Sequence, residues 1–239
     1  MHMDARVFPD LDLLSRAAMD QTMEILRGAI AQRGRFSIAL SGGHTPAKMY
    51  ALWAGKPYAN DTPWDRVHLF WGDERYVPHD DPLSNYRMTR EALIAHVPIP
   101  PENVHAAPTV SAPPAKSAEQ YENDLRGFFG AQPEFDLQLL GLGPEGHTAS
   151  LFPSSPALEE KQRWVLPVEV AATPPRRLTL TPAVLNGGRH TFFLVAGKDK
   201  REIIAALRNE PDSRPSEYPA ARIRPAGPVV WLLDEAATG

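Results

Sequence analysis

Gly141-Leu142-Gly143-Pro144-Glu145-Gly146-His147 sets a carboxylate two residues ahead of an imidazole within a glycine-rich run. Histidine has an ordinary pKa of about 6.5, so it takes up and returns a proton near neutrality. A carboxylate beside it can fix its tautomer and stabilise the imidazolium formed after proton uptake. A spacing of two in a turn permits that contact without requiring it. Phe135-Asp136-Leu137-Gln138-Leu139-Leu140, just upstream, has the apolar pattern of a strand. His147 would then sit past a strand's carboxyl end, the edge where open α/β sheets bind ligands. A lone histidine is more often structural than catalytic, so its weight depends on its company.

Three other segments supply that company. Ser41-Gly42-Gly43-His44-Thr45-Pro46 lies between an apolar run and a helix expected to start near Pro46. Open backbone amides and the positive end of that helix suit a phosphate, although a tight turn capped by Thr45 would look the same. The segment is neither a Walker A loop nor a dinucleotide fingerprint. Asp73-Glu74-Arg75 follows the apolar Leu69-Phe70-Trp71, which forces its charges to the sheet edge, and Ser84-Asn85 comes soon after. Arg75 can fork onto a phosphate or carboxylate, with Asp73 or Glu74 orienting it or a substrate hydroxyl. Lys198 after Gly197, and Arg177 in Arg176-Arg177, would add cations to the same edge. Each charge alone suits a solvated surface; together they outline an anion site. Metal binding is a competing use for His147, but no histidine stands at the H-E-x-x-H spacing.

The elements that must position these groups follow from periodicity. Leu11 to Arg33 reads as a helix capped by Asp10, with Leu14, Ala18, Ile25 and Ala29 at helical spacing. Phe36–Leu40, Val67–Trp71, Leu137–Leu140 and Thr191–Ala196 read as strands, each ending at a glycine-marked polar loop, and Val229–Leu233 as a last one. Helical patterns at Tyr86–His96, Ser117–Phe129 and Lys200–Leu207 separate them. Alternation of this kind predicts an α/β fold: a mostly parallel, Rossmann-like sheet flanked by helices on both faces. Proline-rich stretches at Val97–Pro114 and Pro211–Pro228 read as irregular surface connections, and residues 1–239 as one domain.

Composition narrows the function classes. A net charge of −4 leaves no basic footprint for nucleic acid. The absence of cysteine excludes disulfides, thiolate catalysis and zinc–cysteine sites. The first residues lack a signal-peptide core, and no run approaches the roughly 18 apolar residues of a membrane span. The expectation is a soluble, cytoplasmic protein with no nucleic-acid or membrane partner and no obligate protein partner.

Taken in order, several of these segments resemble the 6-phosphogluconolactonase family of the glucosamine-6-phosphate isomerase/deaminase-like superfamily. The matching pieces are Ser41-Gly42-Gly43 with Thr45-Pro46, Asp73-Glu74-Arg75, Ser84-Asn85, and Gly146-His147-Thr148-Ala149-Ser150-Leu151-Phe152-Pro153. Arg177-Leu178-Thr179-Leu180-Thr181, Gly197 with Lys198, and Trp231-Leu232-Leu233-Asp234 complete them. The resemblance implies hydrolysis of 6-phospho-D-glucono-1,5-lactone to 6-phosphogluconate, in the oxidative pentose phosphate route, with no metal and no organic cofactor. It makes His147 the general base, and puts Glu145 where the family carries aspartate. Lys198 with the Gly42-Gly43-Thr45 loop would hold the phosphate, and Arg75 would bind substrate or steady developing charge. His44 stands where a serine is common. In the sister deaminases a glutamate occupies the position of Phe152, and a phenyl ring cannot transfer protons, which favours the lactonase. A non-catalytic sugar-phosphate sensor is the remaining alternative, but it would usually carry a DNA-binding region, for which the chain has no obvious room.

Overall fold

Phe36–Leu40, Leu137–Leu140 and Thr191–Val195 are buried at every position, which only a strand covered on both faces allows. In this computed structural model, which describes residues 3–110, 112–209 and 217–239, they form the centre of a parallel sheet. The strands are β1 (Asp4–Phe8), β2 (Phe36–Leu40), β3 (Val67–Trp71), β4 (Asp73–Arg75), β5 (Leu137–Leu140), β6 (Val165–Glu169), β7 (Arg176–Leu180), β8 (Thr191–Val195) and β9 (Val229–Asp234). The helices are α1 (Leu11–Arg33), α2 (His44–Trp53), α3 (Tyr58–Asp61), α4 (Asn85–Ala92), α5 (Pro114–Phe129), α6 (Pro182–Leu185), α7 (Arg201–Asn209) and α8 (Glu235–Thr238). Six strands run parallel in the order β1-β9-β8-β5-β2-β3, a Rossmann-like α/β arrangement. No helix among the described residues is long and apolar enough to cross a membrane.

The side-chain alternation of a strand sorts this sheet into two cores. Ile38, Leu139, Leu194 and Leu232 face α1 and α2, where Leu14, Met19, Leu26 and Trp53 close over them. Ala39, Leu140, Phe193 and Trp231 face the other way, against Tyr121 and Leu125 of α5 and Ile203 and Leu207 of α7. Fully burying one such leucine or phenylalanine contributes about 1.5–3 kcal/mol. The first helix forms as its sequence predicts: Asp10 accepts from the Leu13 amide at 2.8 Å, and Gly34 ends it in the left-handed region at φ 74°.

Other elements depart from the sequence expectation. The edge strand β1 has no strand-like signature in the sequence, because its half-exposed residues include charges and form no apolar run. Asp73–Arg75 is a strand rather than a loop. It joins an antiparallel sheet, β4-β7-β6, packed beside the larger one. The chain crosses between the two sheets at Gly72, whose amide donates to Leu40 and whose carbonyl accepts from Leu180, both at 2.8 Å. The helix expected over Tyr86–His96 stops at Ala92, where Leu93 leaves helical geometry (φ −135°) and is fully buried. A short turn over Pro101–Asn103 interrupts the first proline-rich stretch. Part of the second, residues 211–216, lies outside the described residues.

Candidate active site

Parallel pairing brings the carboxyl ends of β2, β3, β5 and β8 to one edge, where a cleft of about 210 Å³ opens. Ser41, Gly42, Asp73, Arg75, His147 and Arg177 line it, together with Lys200. Leu142, Pro144 and Ala149 supply apolar wall.

The loop after β5 is held from three sides. Within it, the Gly143 amide donates to the His147 carbonyl at 2.9 Å, and the Thr148 hydroxyl donates to the Gly141 carbonyl at 2.9 Å. Toward the antiparallel sheet, the Ser150 hydroxyl donates to Asp73 Oδ2 at 2.6 Å and the Ser150 amide to Thr179 Oγ1 at 3.2 Å. From the third side, the Ala220 amide donates to the Gly146 carbonyl at 3.0 Å. Gly146 takes a φ of 84°, natural for glycine, whereas Ala149 at φ 49° is an L-residue held in the left-handed region. That conformation costs about 1–2 kcal/mol and persists because its neighbours over-determine it.

His147 emerges from this loop with its ring flat against Phe152, centroids 4.1 Å apart and planes at 14°. Glu145 Oε2 lies 3.1 Å from its Nδ1, so the two-residue spacing does bring carboxylate and imidazole together. The pair is not aligned as a hydrogen bond, and Nδ1 has no other partner. The contact is therefore a close approach and not a hydrogen bond. The His147 side chain is 23% exposed, enough for water to reach it.

The two arginines come from the antiparallel sheet, whose register sets Arg75 directly opposite Arg177. Like charges at opposed positions destabilise a sheet unless something negative lies between them. Arg177 is buried; burial pushes its guanidinium below its ordinary value, and the carboxylate of Asp73 pulls it back up. The Nη1 of Arg75 donates to the Leu83 carbonyl at 2.7 Å, and its Nε is buried without a partner. Glu74 holds this strand in place: its carboxylate accepts from the Arg75, Asn85 and Tyr86 amides at 2.6–2.8 Å and from the Ser84 hydroxyl at 3.1 Å. Burial pushes the Glu74 carboxyl up, against the pull of those donors.

The glycine loop also differs from its expected form. Helix α2 begins at His44 rather than near Pro46, with Gly43 (φ 105°) as its N-cap and no side-chain cap bond. Thr45 therefore falls inside the first turn and caps nothing. Ser41 and Gly42 reach the cleft, while Gly43 and Thr45 stand outside its lining. The Ser41 backbone is anchored at both amide and carbonyl by the buried Tyr50 hydroxyl, at 3.0 and 2.9 Å. Asn85 is equally indirect. Its Nδ2 donates to the Asp73 carbonyl at 2.9 Å, and its Oδ1 fills the space beside Gly42, where a Cβ would lie 1.9 Å away.

The lysine that the loop after β8 brings to the cleft lining is Lys200, while Lys198, the one expected there, stands outside it. Gly197 (φ 105°) leads into a single 3-10 turn over Lys198–Lys200, which leaves Lys198 exposed and brings Lys200 to the cleft. Asp199 pairs with Lys200 at 2.7 Å. The signal was present in the Gly-Lys-Asp-Lys run, but apolar periodicity does not say which lysine a turn presents. Ser150 and Phe152 were likewise inside a recognised segment without an assigned contact. Among the described residues no three histidine, aspartate or glutamate side chains converge as a metal site would require. Six buried side-chain polar atoms among those residues have no partner, and three belong to Arg75, Asn85 and His147. Orphaned polar groups gathered at one place are a mark of a site built to meet a ligand.

Known proteins resemble this chain along nearly its whole length. Residues 9–231 match the family model described as glucosamine-6-phosphate isomerases/6-phosphogluconolactonase. A 6-phosphogluconolactonase of Synechocystis sp. is 45% identical over 94% of this chain and 92% of its own. One from Nostoc sp. is 42% identical over 99% and 98%. Among solved structures, 6-phosphogluconolactonase from Trypanosoma cruzi superposes with a TM-score of 0.86 at 30% identity, covering 99% of this chain and 97% of that one.

Proposed function

The chain belongs to the glucosamine-6-phosphate isomerase/6-phosphogluconolactonase family, and on that premise we propose that it hydrolyses 6-phospho-D-glucono-1,5-lactone to 6-phosphogluconate with His147 as general base. The observation that carries this reading is the meeting of His147, beside Glu145, with Arg75, Arg177 and Lys200 in a cleft of about 210 Å³. Three cations in a protein of net charge −4 suit a compact dianionic substrate.

Neutral His147 removes a proton from a water molecule as that water attacks the lactone C1. The ring oxygen then leaves as the C1–O bond breaks, and the imidazolium returns the proton to it. The product acid then gives up its proton to solvent, so atoms and charge balance with one water consumed and one proton released. Glu145 stabilises the imidazolium through space, in the manner of a carboxylate beside a catalytic histidine. Arg75, with its Nε unpartnered, and Arg177 supply donors for the charge that develops on the carbonyl oxygen. Lys200 and the Gly42 backbone, just ahead of α2, hold the phosphate. Asp73, committed to Ser150 and Asn85, positions the histidine loop against the arginine strand rather than transferring protons. General base catalysis of this kind contributes about 10²–10⁴-fold.

The test is turnover of freshly generated lactone by the native protein, with ammonia release from glucosamine 6-phosphate followed alongside. Hydrolysis far above the spontaneous rate, without ammonia, is the expected result. Ammonia release, or no acceleration of lactone opening, would overturn the assignment.

A further inference from the structure

The ring plane of His147 is set without a hydrogen bond to Nδ1, since that buried atom has none and Glu145 stands 3.1 Å away out of line. A catalytic imidazole is ordinarily held in plane by the group that accepts its second N–H. Two packing contacts take that place here. Gly143 closes on the ring's edge so tightly that a Cβ there would lie 2.0 Å from Nδ1 and 2.2 Å from Cε1. Phe152 lies against its face, nearly parallel.

We propose that Phe152 is a positioning residue for the reaction, a flat support that fixes the orientation of the His147 ring in the place of a hydrogen-bonded carboxylate. The inference rests on the reading of His147 as the base. Phe152 is suited to the task because its own backbone is fixed. Leu151 is fully buried and bridges back to Thr148, and the Ser155 amide donates to the Phe152 carbonyl at 3.1 Å. Its π face also favours the positive ring that forms when His147 takes a proton. The same phenyl lies 5.8 Å from the guanidinium carbon of Arg177, so it stands beside both the base and one cation of the cleft.

Phe152→Leu keeps an apolar side chain and removes the flat face, while Phe152→Tyr keeps the face. In the full-length protein, Phe152→Leu is expected to lower kcat about 10- to 100-fold, the range for a misaligned catalytic group, with KM nearly unchanged. Phe152→Tyr is expected to restore most of the loss. A readout independent of activity is the His147 ring resonance in NMR, whose ring-current shift should vanish in the leucine variant and persist in the tyrosine one. Native kcat in Phe152→Leu would overturn the proposal. So would an equal loss of kcat in Phe152→Tyr while its ring-current shift on His147 persists, the pattern of a merely structural residue. If the leucine variant does not fold, Phe152→Met gives the same comparison. His147→Ala in the same assay separates the two claims. Undiminished turnover there refutes the base, whereas its loss beside a native Phe152→Leu refutes only the support.

Discussion

Among the described residues, two histidines lie flat on a phenyl ring, and one of them, His147, lines the cleft. His147 stacks on Phe152 at 4.1 Å; His105 stacks on Phe70 at 4.2 Å with planes at 5°. Around His105 are Phe128 and a second imidazole, His68, whose Nδ1 is 3.2 Å from its Nε2. Burial, with His68 adding to it, pushes His105 down to about 4. Burial and the guanidinium of Arg35, which lies over Phe128, push His68 down as well. Around His147 are a carboxylate, a water-accessible cleft and the unpartnered Nε donor of Arg75. Stacking fixes a ring in either place; the surrounding charge and access decide whether the ring does chemistry.

Exchanging the two histidines tests that contrast most strongly. His147→Gln is expected to lower kcat about 10²–10⁴-fold, while His105→Phe leaves it near native in the same coupled assay. Equal losses would dissolve the distinction. Next in size, Gly143→Ala forces a methyl onto the His147 ring and is expected to lower kcat about 100-fold with the melting temperature little changed. A native rate would show that the ring can move without harm. The cation assignment is a smaller effect. Lys200→Ala is expected to raise KM about 10-fold, the worth of a charge-assisted contact, and Lys198→Ala to leave it unchanged. The reverse order would restore the phosphate role to Lys198.

The smallest expected effect concerns stability. His105 has a lower pKa folded than unfolded, so between pH 6.5 and about 4 the unfolded chain binds a proton that the folded chain does not. Its contribution is fully present above pH 6.5 and is lost as the pH falls through that window. His105→Phe removes the loss, so its melting temperature should fall less steeply on acidification than that of the native chain. The curves should separate by about 2–4 °C for each kcal/mol regained. Parallel curves between pH 7 and 4.5 would contradict the buried, neutral state of His105.

What the amino-acid sequence disclosed follows the physics of burial. Strands β2, β3, β5 and β8 are covered on both faces, so they appear as apolar runs ended by glycine. Strand β1, with one neighbour and half-exposed charges, has no such run. Strand β4 was hidden for a different reason. Its three charged residues become a strand only by pairing with residues 177–179, about a hundred positions away. That pairing also decides the site, because it sets Arg75 against Arg177 and lets Asp73 reach Ser150. Residue types and loop order pointed to His147, Glu145, Arg75, Arg177 and the glycine loop. The geometry that separates lining residues from supporting ones, Lys200 from Lys198 and Gly42 from Asn85, comes from turns and long-range packing.

The most direct measurement is hydrolysis of the lactone by His147→Gly with and without added imidazole, against imidazole alone in solution. Loss of turnover that free imidazole restores, above its own rate in solution, is the predicted result. Near-native turnover without imidazole would contradict the assignment of His147 as the base.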